Sequence, residues 1–465
     1  MSNINDTTSG PLSEAKKHYG QVKFAYHLAH FYRTRLMYVY PHGWYVWSKS
    51  RGYWVRDLAG KRVEEAIVKV LKRAHTDAFG SDDATREVRA CNNASGVRGI
   101  RSIAESLSYF RCDFEDLDAD PYLLATPNGT VNIATGECRN AAPGDRLTRC
   151  TNGSLTEMAG SEWEAFVTRI LPDDDVRRYV QQLFGLALLG RQREDVFPIF
   201  DGPTAGNGKS TLLNAIVYAL GGVQKTRSYA VQADADILMS SRESSAHRAN
   251  LAYLAGARLT VVSETDRARK LNESLMKGLT GRDPLTVSEK HKPVFTFVPQ
   301  HLMILATNHL PQIEGGDNGT ARRVKVVRFR VRIPNSEIDV KLPDKLEAEA
   351  DAIFTWCVEG WRDYSSHGLV EPRRVTIDTR DYLEASDDVQ AFLNEMCVDD
   401  PAALTPFADL YDAWCTWARL KGLPDVHANV FGAALEGKGY QSRSPQRKGK
   451  RVRSRAGIRL QRSEV

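Results

Sequence analysis

Residues 196–220 read VFPIFDGPTAGNGKSTLLNAIVYAL, and this stretch decides the fold. A short apolar run fits a buried strand, a glycine-bearing turn follows, and Lys-Ser-Thr opens an apolar pattern at helical spacing. Strand, glycine loop and helix in that order make a phosphate cradle. Glycines let backbone N–H groups converge on phosphate oxygens, and the helix presents its positive N-terminus to them. Gly202, Gly206, Asn207, Gly208, Lys209, Ser210 and Thr211 are therefore the candidate ATP-binding residues, with Lys209 reaching the β- and γ-phosphates and Ser210 holding Mg2+. The spacing departs from G-x-x-x-x-G-K: counting back from Gly208, Pro203 stands where the first glycine is expected, and the nearest glycine is Gly202. Spacing alone leaves the role of Gly202 open.

Working outward, strand and helix patterns alternate from residue 196 to 331, which predicts an α/β sandwich with a parallel sheet. Residues 259–262 form a strand that runs into Ser263, Glu264, Thr265 and Asp266. A carboxylate at a strand end beside a phosphate loop is where an ATPase polarises its attacking water or holds magnesium. Glu264 is the candidate for both tasks, with Asp266 as a possible assistant because Ser-Glu stands where Asp-Glu is common. The strand 301–306 ends in Thr307-Asn308-His309, and an amide such as Asn308 at that tip can bond the γ-phosphate or the water. Arg322 and Arg323 precede a further strand. Either could enter a neighbouring subunit's site and stabilise charge on the phosphoryl group.

Upstream, residues 22–32 and 63–79 show helical periodicity, and Trp44, Trp47 and Trp54 flank a Lys-Ser-Arg-Gly turn that suggests a hairpin whose rings pack a small β core. Asn128-Gly129 and Thr135-Gly136 mark tight turns between short strands. Residues 162–189 read as a helical unit just before the nucleotide core, and 347–364 as a helix that closes it. Downstream, residues 389–462 read as helix, helix, helix, basic hairpin, the pattern of a winged helix that meets duplex DNA. Between Lys438 and Arg462 there are ten lysines and arginines and no acid. Arg443, Arg447, Lys448, Lys450 and Arg451 are the candidate phosphate contacts, and salt-dependent backbone affinity is expected more than base reading.

At 465 residues the chain exceeds one hydrophobic core. The expected division is a disordered tail (1–19), an N-terminal α+β domain (20–157), a helical collar for oligomerisation (158–195), the nucleotide core with its helical closure (196–371), a linker (372–388) and the winged helix (389–465). No apolar run is long enough to span a membrane and the N-terminus is polar, so a cytoplasmic location is expected. Seven scattered cysteines without C-x-x-C predict free thiols. The net charge of +5 is modest for this length and says little about partners by itself.

The run KLNESLMKGLTGRDPLTVSEKHKPVFTFVPQHLMILATNHLPQIEGGDNGTARRV (270–324) resembles the superfamily 3 DNA helicases of the phage and plasmid primase-helicase group, which includes the poxvirus primase-helicase. DLDADPYLLATPNGTVNIATGE (116–137) is similar to the domain that precedes the motor in that group, so the resemblance spans about residues 20–370. It implies an AAA+-like P-loop NTPase core, a homohexamer around single-stranded DNA, ATP with Mg2+ held between subunits, and roles for Lys209, Ser210, Glu264, Asn308 and Arg322 or Arg323 as above. It also implies a hairpin pointing into the ring channel. Residues 285–288 and 294–297 alternate as its strands around Lys290, His291 and Lys292, the candidate DNA contacts. Many relatives carry a primase polymerase domain before the motor, and the first 150 residues show no carboxylate triad for nucleotidyl transfer. A separate primase is thus a candidate partner. The alternative readings are an origin-binding ATPase initiator or helicase loader without processive unwinding, and a defence or regulatory ATPase.

Overall fold

The computed structural model describes residues 10–157, 160–202, 206–222, 227–239, 251–264, 270–288, 294–313, 318–385, 388–423, 428–447 and 450–461. The expected disordered tail is ordered in its described part. Pro11–Ala15 forms a short helix (α1) with proline at its first turn, and Pro11 and Ala15 are buried. Helix α2 (Gly20–Tyr32) follows, then strands β1 (Leu36–Val39), β2 (Gly43–Ser48) and β3 (Tyr53–Arg56). The β2–β3 hairpin is the one the tryptophans suggest: Trp47 faces Trp54 across it, and Trp44 and Trp54 are buried. Helices α3 (Lys61–Asp77), α4 (Asp82–Cys91) and α5 (Ala94–Ser106) and strand β4 (Arg111–Cys112) complete the first domain. Val63, Ala66, Ile67, Val70 and Leu71 recur at three- and four-residue intervals, so α3 presents one continuous apolar face to Phe24 and Leu28 of α2. Strands β5 (Leu123–Thr126), β6 (Gly129–Asn132) and β7 (Glu137–Arg139) form a small antiparallel meander with the expected tight turns.

Helices α6 (Ser161–Ile170) and α7 (Asp174–Leu188) lead into the core sheet. Its first strand is β8 (Phe197–Asp201), followed by α8 (Lys209–Ala219), β9 (Ala230–Asp234) and β10 (Leu259–Glu264). Helix α9 (Glu273–Leu279) precedes a two-stranded hairpin, β11 (Leu285–Ser288) and β12 (Val294–Phe297). The core resumes at β13 (Leu302–Thr307), α10 (Asn318–Arg323) and β14 (Val324–Arg328), and helices α11 (Leu342–Ala348) and α12 (Ala350–His367) close it. The five core strands run parallel in the order β14-β8-β13-β10-β9. Both faces are covered, as a parallel sheet of near-continuous apolar strands requires. Helices α6, α7, α8 and α12 share one apolar cluster with the sheet, and α9 with the hairpin strands belongs to the cluster on the other face. The helical segment before the core is therefore part of its hydrophobic packing.

Residues 372–388, expected as a linker, instead carry helix α13 (Arg373–Ala385) docked on β14. Thr379 accepts a hydrogen bond from Val326 N (2.8 Å), Asp378 pairs with Arg330, and Tyr382 donates to Pro311 O (2.6 Å). The chain ends in α14 (Asp388–Met396), β15 (Cys397–Pro406), α15 (Phe407–Leu420), α16 (Ala428–Gly437), β16 (Ser442–Arg443), β17 (Gln446–Arg447), β18 (Lys450–Arg451) and β19 (Ser454–Leu460). Phe392, Leu410, Trp414, Phe431 and Ile458 form its own core under the sheet β15-β19-β16. Among the described residues no helix is long and apolar enough to cross a membrane, and all seven cysteines are free.

Candidate active site

The register of the core sheet sets the site. Arg328 pairs with Asp201, Asp201 with Thr307, and Thr307 with Glu264, so the carboxyl ends of four parallel strands present these residues in one row. In open α/β sheets ligands bind at that edge. The glycine loop leaves β8 there and returns as α8, bringing Lys209 to the middle of the row. Its Nζ donates to Thr307 O and to Asn308 Oδ1 (3.0 Å). Lys209 is buried, and burial lowers its ammonium to about 8, with Asp201 acting in the opposite direction. Asp201 is buried as well. Desolvation raises its carboxyl, while Arg328, 3.4 Å away, and Lys209 counter that shift.

The loop is shaped by close approaches that only glycine permits. A Cβ on Gly202 would stand 2.2 Å from Asn207 Nδ2 and 3.1 Å from Lys209 Nζ, so packing of the loop against the end of β8 requires glycine there. Gly208 takes φ +80° at the N-cap of α8, and a Cβ there would meet Ile170 Cγ2 at 2.4 Å. Asn207 Oδ1 accepts from Lys209 N (3.1 Å), and Gly206 O accepts from Ile333 N (2.8 Å). The loop is thus clasped between the end of α6 and the segment after β14. Ser210 is exposed on the first turn of α8 and Thr211 is half-buried beside it. This cradle and donor set fit a triphosphate, with Ser210 free for a cation.

The two arginines separate clearly. Arg323 is tied down, with Nη1 donating to Gly319 O (3.1 Å), Nη2 3.4 Å from Asp195, and a side chain only 13% exposed. The Arg322 side chain is 69% exposed, with Asp195 at 3.7 Å. Glu264 stands at the end of β10 in register with Thr307. Asp266, Lys290, His291, Lys292 and Lys448 lie outside the described residues. Strands β11 and β12 do pair as a hairpin, with Thr286 and Thr296 hydroxyls bonded across it (3.1 Å). Arg443 and Arg451 are exposed, and Arg447 and Lys450 face each other in the β17–β18 hairpin.

Sequence reasoning missed the groups that join the first domain to the core. Arg258, just before β10, is fully buried and donates to Leu188 O (2.5 Å), Leu123 O (2.7 Å) and Pro121 O (3.3 Å). Arg149 donates to Ser228 O (2.6 Å) and Ala255 O (2.5 Å). Phe295 of the hairpin packs against His42 and Phe114 of the first domain at 5.2 and 5.6 Å between ring centres. A cleft of about 890 Å³ between these regions includes Tyr45, Arg56, Tyr253 and Phe297 and lies near the amino ends of the core strands, away from the glycine loop. A charge set beside an apolar strand start, as in Ala-Arg-Leu-Thr-Val-Val, was the one available signal for Arg258.

The chain resembles known proteins across both regions. Residues 25–172 match the family described as D5 N terminal like, and residues 200–323 match a family of unknown function, DUF5906. A protein of Acanthamoeba polyphaga mimivirus, provisionally named a helicase, is 28% identical over 360 residues, covering 72% of this chain and 37% of that relative. A provisionally named primase of African swine fever virus is 24% identical over 359 residues, covering 70% and 36%. The apo structure of the NrS-1 C-terminal region overlaps 66% of this chain and 77% of its own at a TM-score of 0.43 and 12% identity. Over about 70% of its length the chain is thus similar to viral proteins provisionally named helicase or primase. It spans little more than a third of the length of these viral relatives, at 37% and 36%.

Proposed function

We propose that the chain is an ATP-driven, ring-forming DNA helicase motor in the replication of a phage, satellite or plasmid-like element. One observation carries the reading: Lys209 Nζ sits at the carboxyl edge of a parallel sheet, between Thr307 O and Asn308 Oδ1, at the start of a helix entered through a glycine loop. In this role Gly202, Gly206, Asn207, Gly208 and Thr211 shape the phosphate site, Lys209 holds the β- and γ-phosphates, and Asn308 exchanges Lys209 for phosphate or water. Ser210 and Glu264 hold Mg2+, whose chemistry is to neutralise charge developing on the phosphate oxygens. Arg322, the exposed one of the pair, acts on the neighbouring subunit's ATP in a homohexamer. Such an arginine is worth roughly 4–7 kcal/mol of barrier.

In this reading the hairpin β11–β12 and the residues Lys290, His291 and Lys292 that link its strands in sequence grip single-stranded DNA in the channel. The C-terminal module is a winged helix in this reading. Its three helices cover the sheet β15-β19-β16, and the basic β17–β18 hairpin stands as the wing. Arg443, Arg447, Lys448, Lys450 and Arg451 then meet duplex phosphates, and a separate primase supplies primers.

The test is DNA-stimulated ATP turnover together with fork unwinding, on the native chain, Lys209→Ala and Lys290→Ala. The motor reading expects Lys209→Ala to lose both activities and Lys290→Ala to keep basal turnover while losing unwinding. A native chain that hydrolyses ATP but never separates strands, at any salt or fork polarity, is an initiator or loader instead.

A further inference from the structure

The exposed arginine and the hairpin are proposed to serve different ligands, yet one short helix joins them. Helix α9 begins at Glu273, whose Oε2 accepts a hydrogen bond from Thr320 Oγ1 at 2.5 Å. Thr320 is buried in α10, two residues before Arg322. The N-terminus of α9 is fixed by Asn272, which accepts from Leu275 N (3.0 Å) through its side chain and donates its own N–H to Leu238 O (2.7 Å). At the other end, Gln192 Nε2 donates to Leu279 O, the last residue of α9, and to His301 O at the entry to β13, both at 3.1 Å. Arg282, between α9 and β11, donates to Arg193 O (2.8 Å). Two residues further on, Asp195 lies against both Arg322 and Arg323. The arginine helix is thus fastened to the root of the hairpin twice: directly through Thr320 and Glu273, and around the back through residues 192–195.

We propose that Glu273 and Thr320 are positioning residues that make α10 and the hairpin root move as one unit, so that the nucleotide state at a neighbour's site sets the position of the DNA-gripping hairpin. The inference rests on the motor reading above. Rigid elements joined by buried hydrogen bonds transmit displacement, whereas loosely packed ones absorb it. Helix α9 is only seven residues long, is anchored through Met276 and Leu279 in the core, and has both ends tied, so it has little freedom to absorb a shift of α10. Neither Glu273 nor Thr320 belongs to the row of strand-end residues around Lys209.

The experiment compares the native chain with Thr320→Val, Thr320→Ser and Glu273→Ala. It measures affinity for a fluorescent ATP analogue, ATP turnover without and with forked DNA, and strand separation. Thr320→Val, nearly the same size but without the hydroxyl, is expected to bind nucleotide as the native chain does and to lose DNA stimulation, the ratio of the two turnover rates falling to unity, together with unwinding. Glu273→Ala is expected to do the same. Thr320→Ser, which restores the hydroxyl, is expected to restore the ratio. A merely structural role would lower nucleotide binding and both turnover rates together and leave the ratio unchanged, and that result overturns the proposal. So does a Ser variant that stays uncoupled. A native chain whose ATP turnover is absent, or is undiminished by Lys209→Ala, marks failure of the motor reading itself, whatever Thr320 does.

Discussion

Two positively charged regions of this chain solve opposite problems. At the carboxyl edge of the core sheet, Lys209 is buried, held by a carbonyl and an amide, and shifted by desolvation. At the other end of the chain, the β16–β18 region exposes Arg443 and Arg451 on short strands. Burying a cation is costly, so the sheet edge supplies fixed partners and the geometry is specific. An exposed cation costs little and attracts any phosphate, with a strength set by salt. The first arrangement suits chemistry at one phosphate chain, the second an extended polyanion.

The comparison can be broken at several depths. Lys209→Ala removes the buried cation, and ATP turnover is expected to fall on the order of 10³-fold, as for loss of a fixed group facing developing charge. Steady-state turnover in saturating ATP checks this, and a residual rate near native would show that the buried lysine is structural only. Arg322→Ala is expected to lower kcat about 10³-fold with little change in KM, while Arg323→Ala mainly lowers stability, because Arg323 is tied to Gly319 O and Asp195. Equal kcat losses for both would dissolve the distinction drawn from their exposure.

His301 tests burial on the same sheet without the phosphate site. Both ring nitrogens are buried without a hydrogen-bond partner among the described residues, and desolvation lowers the imidazole to about 4. The unfolded chain, with an ordinary histidine, binds a proton that the folded chain refuses. Stability is therefore full above about pH 6.5 and is lost as pH falls towards 4, by up to ~3 kcal/mol. Urea unfolding at pH 7.5 and 5 should show a loss that shrinks in His301→Leu. The smallest effects belong to the exposed region. Each alanine at Arg443, Arg447, Lys450 or Arg451 is expected to flatten the slope of log affinity against log salt for duplex DNA by about 0.9 for every phosphate left without its cation, with turnover unchanged. A slope that does not move places the duplex-binding surface elsewhere.

The glycine loop, the strand ends beside it and the hairpin were legible as local structure because each needs particular residue types at particular places: glycines at tight approaches, a lysine at a helix start, polar residues where apolar strands stop. Helix α13 was not. Its inward face is Val375, Asp378, Thr379 and Tyr382, helical in period but half polar, so hydrophobicity alone made it look like a connection. Those polar groups are tolerated inside because Val326 N and Arg330 satisfy them. The difference in exposure between Arg322 and Arg323 was equally hidden, since it depends on Asp195 and Gly319 O rather than on either arginine. The Thr320 to Glu273 bond joins residues 47 apart and carries no local signature.

The buried Arg258 has a practical consequence for dissecting the chain. A fragment cut just before Val196, where the nucleotide motif begins, would keep this guanidinium but delete its three carbonyl acceptors, on Pro121, Leu123 and Leu188. The same cut strips Leu124, Val131 and Ile133 of the meander and the whole of α6 and α7 from the apolar cluster they share with the core sheet, leaving that face open to water. The shortest fragment that keeps the core sheet intact should therefore start upstream of Asp118, whose carboxylate accepts from Thr148 N (2.8 Å), and carry the β5–β7 meander as part of its own body.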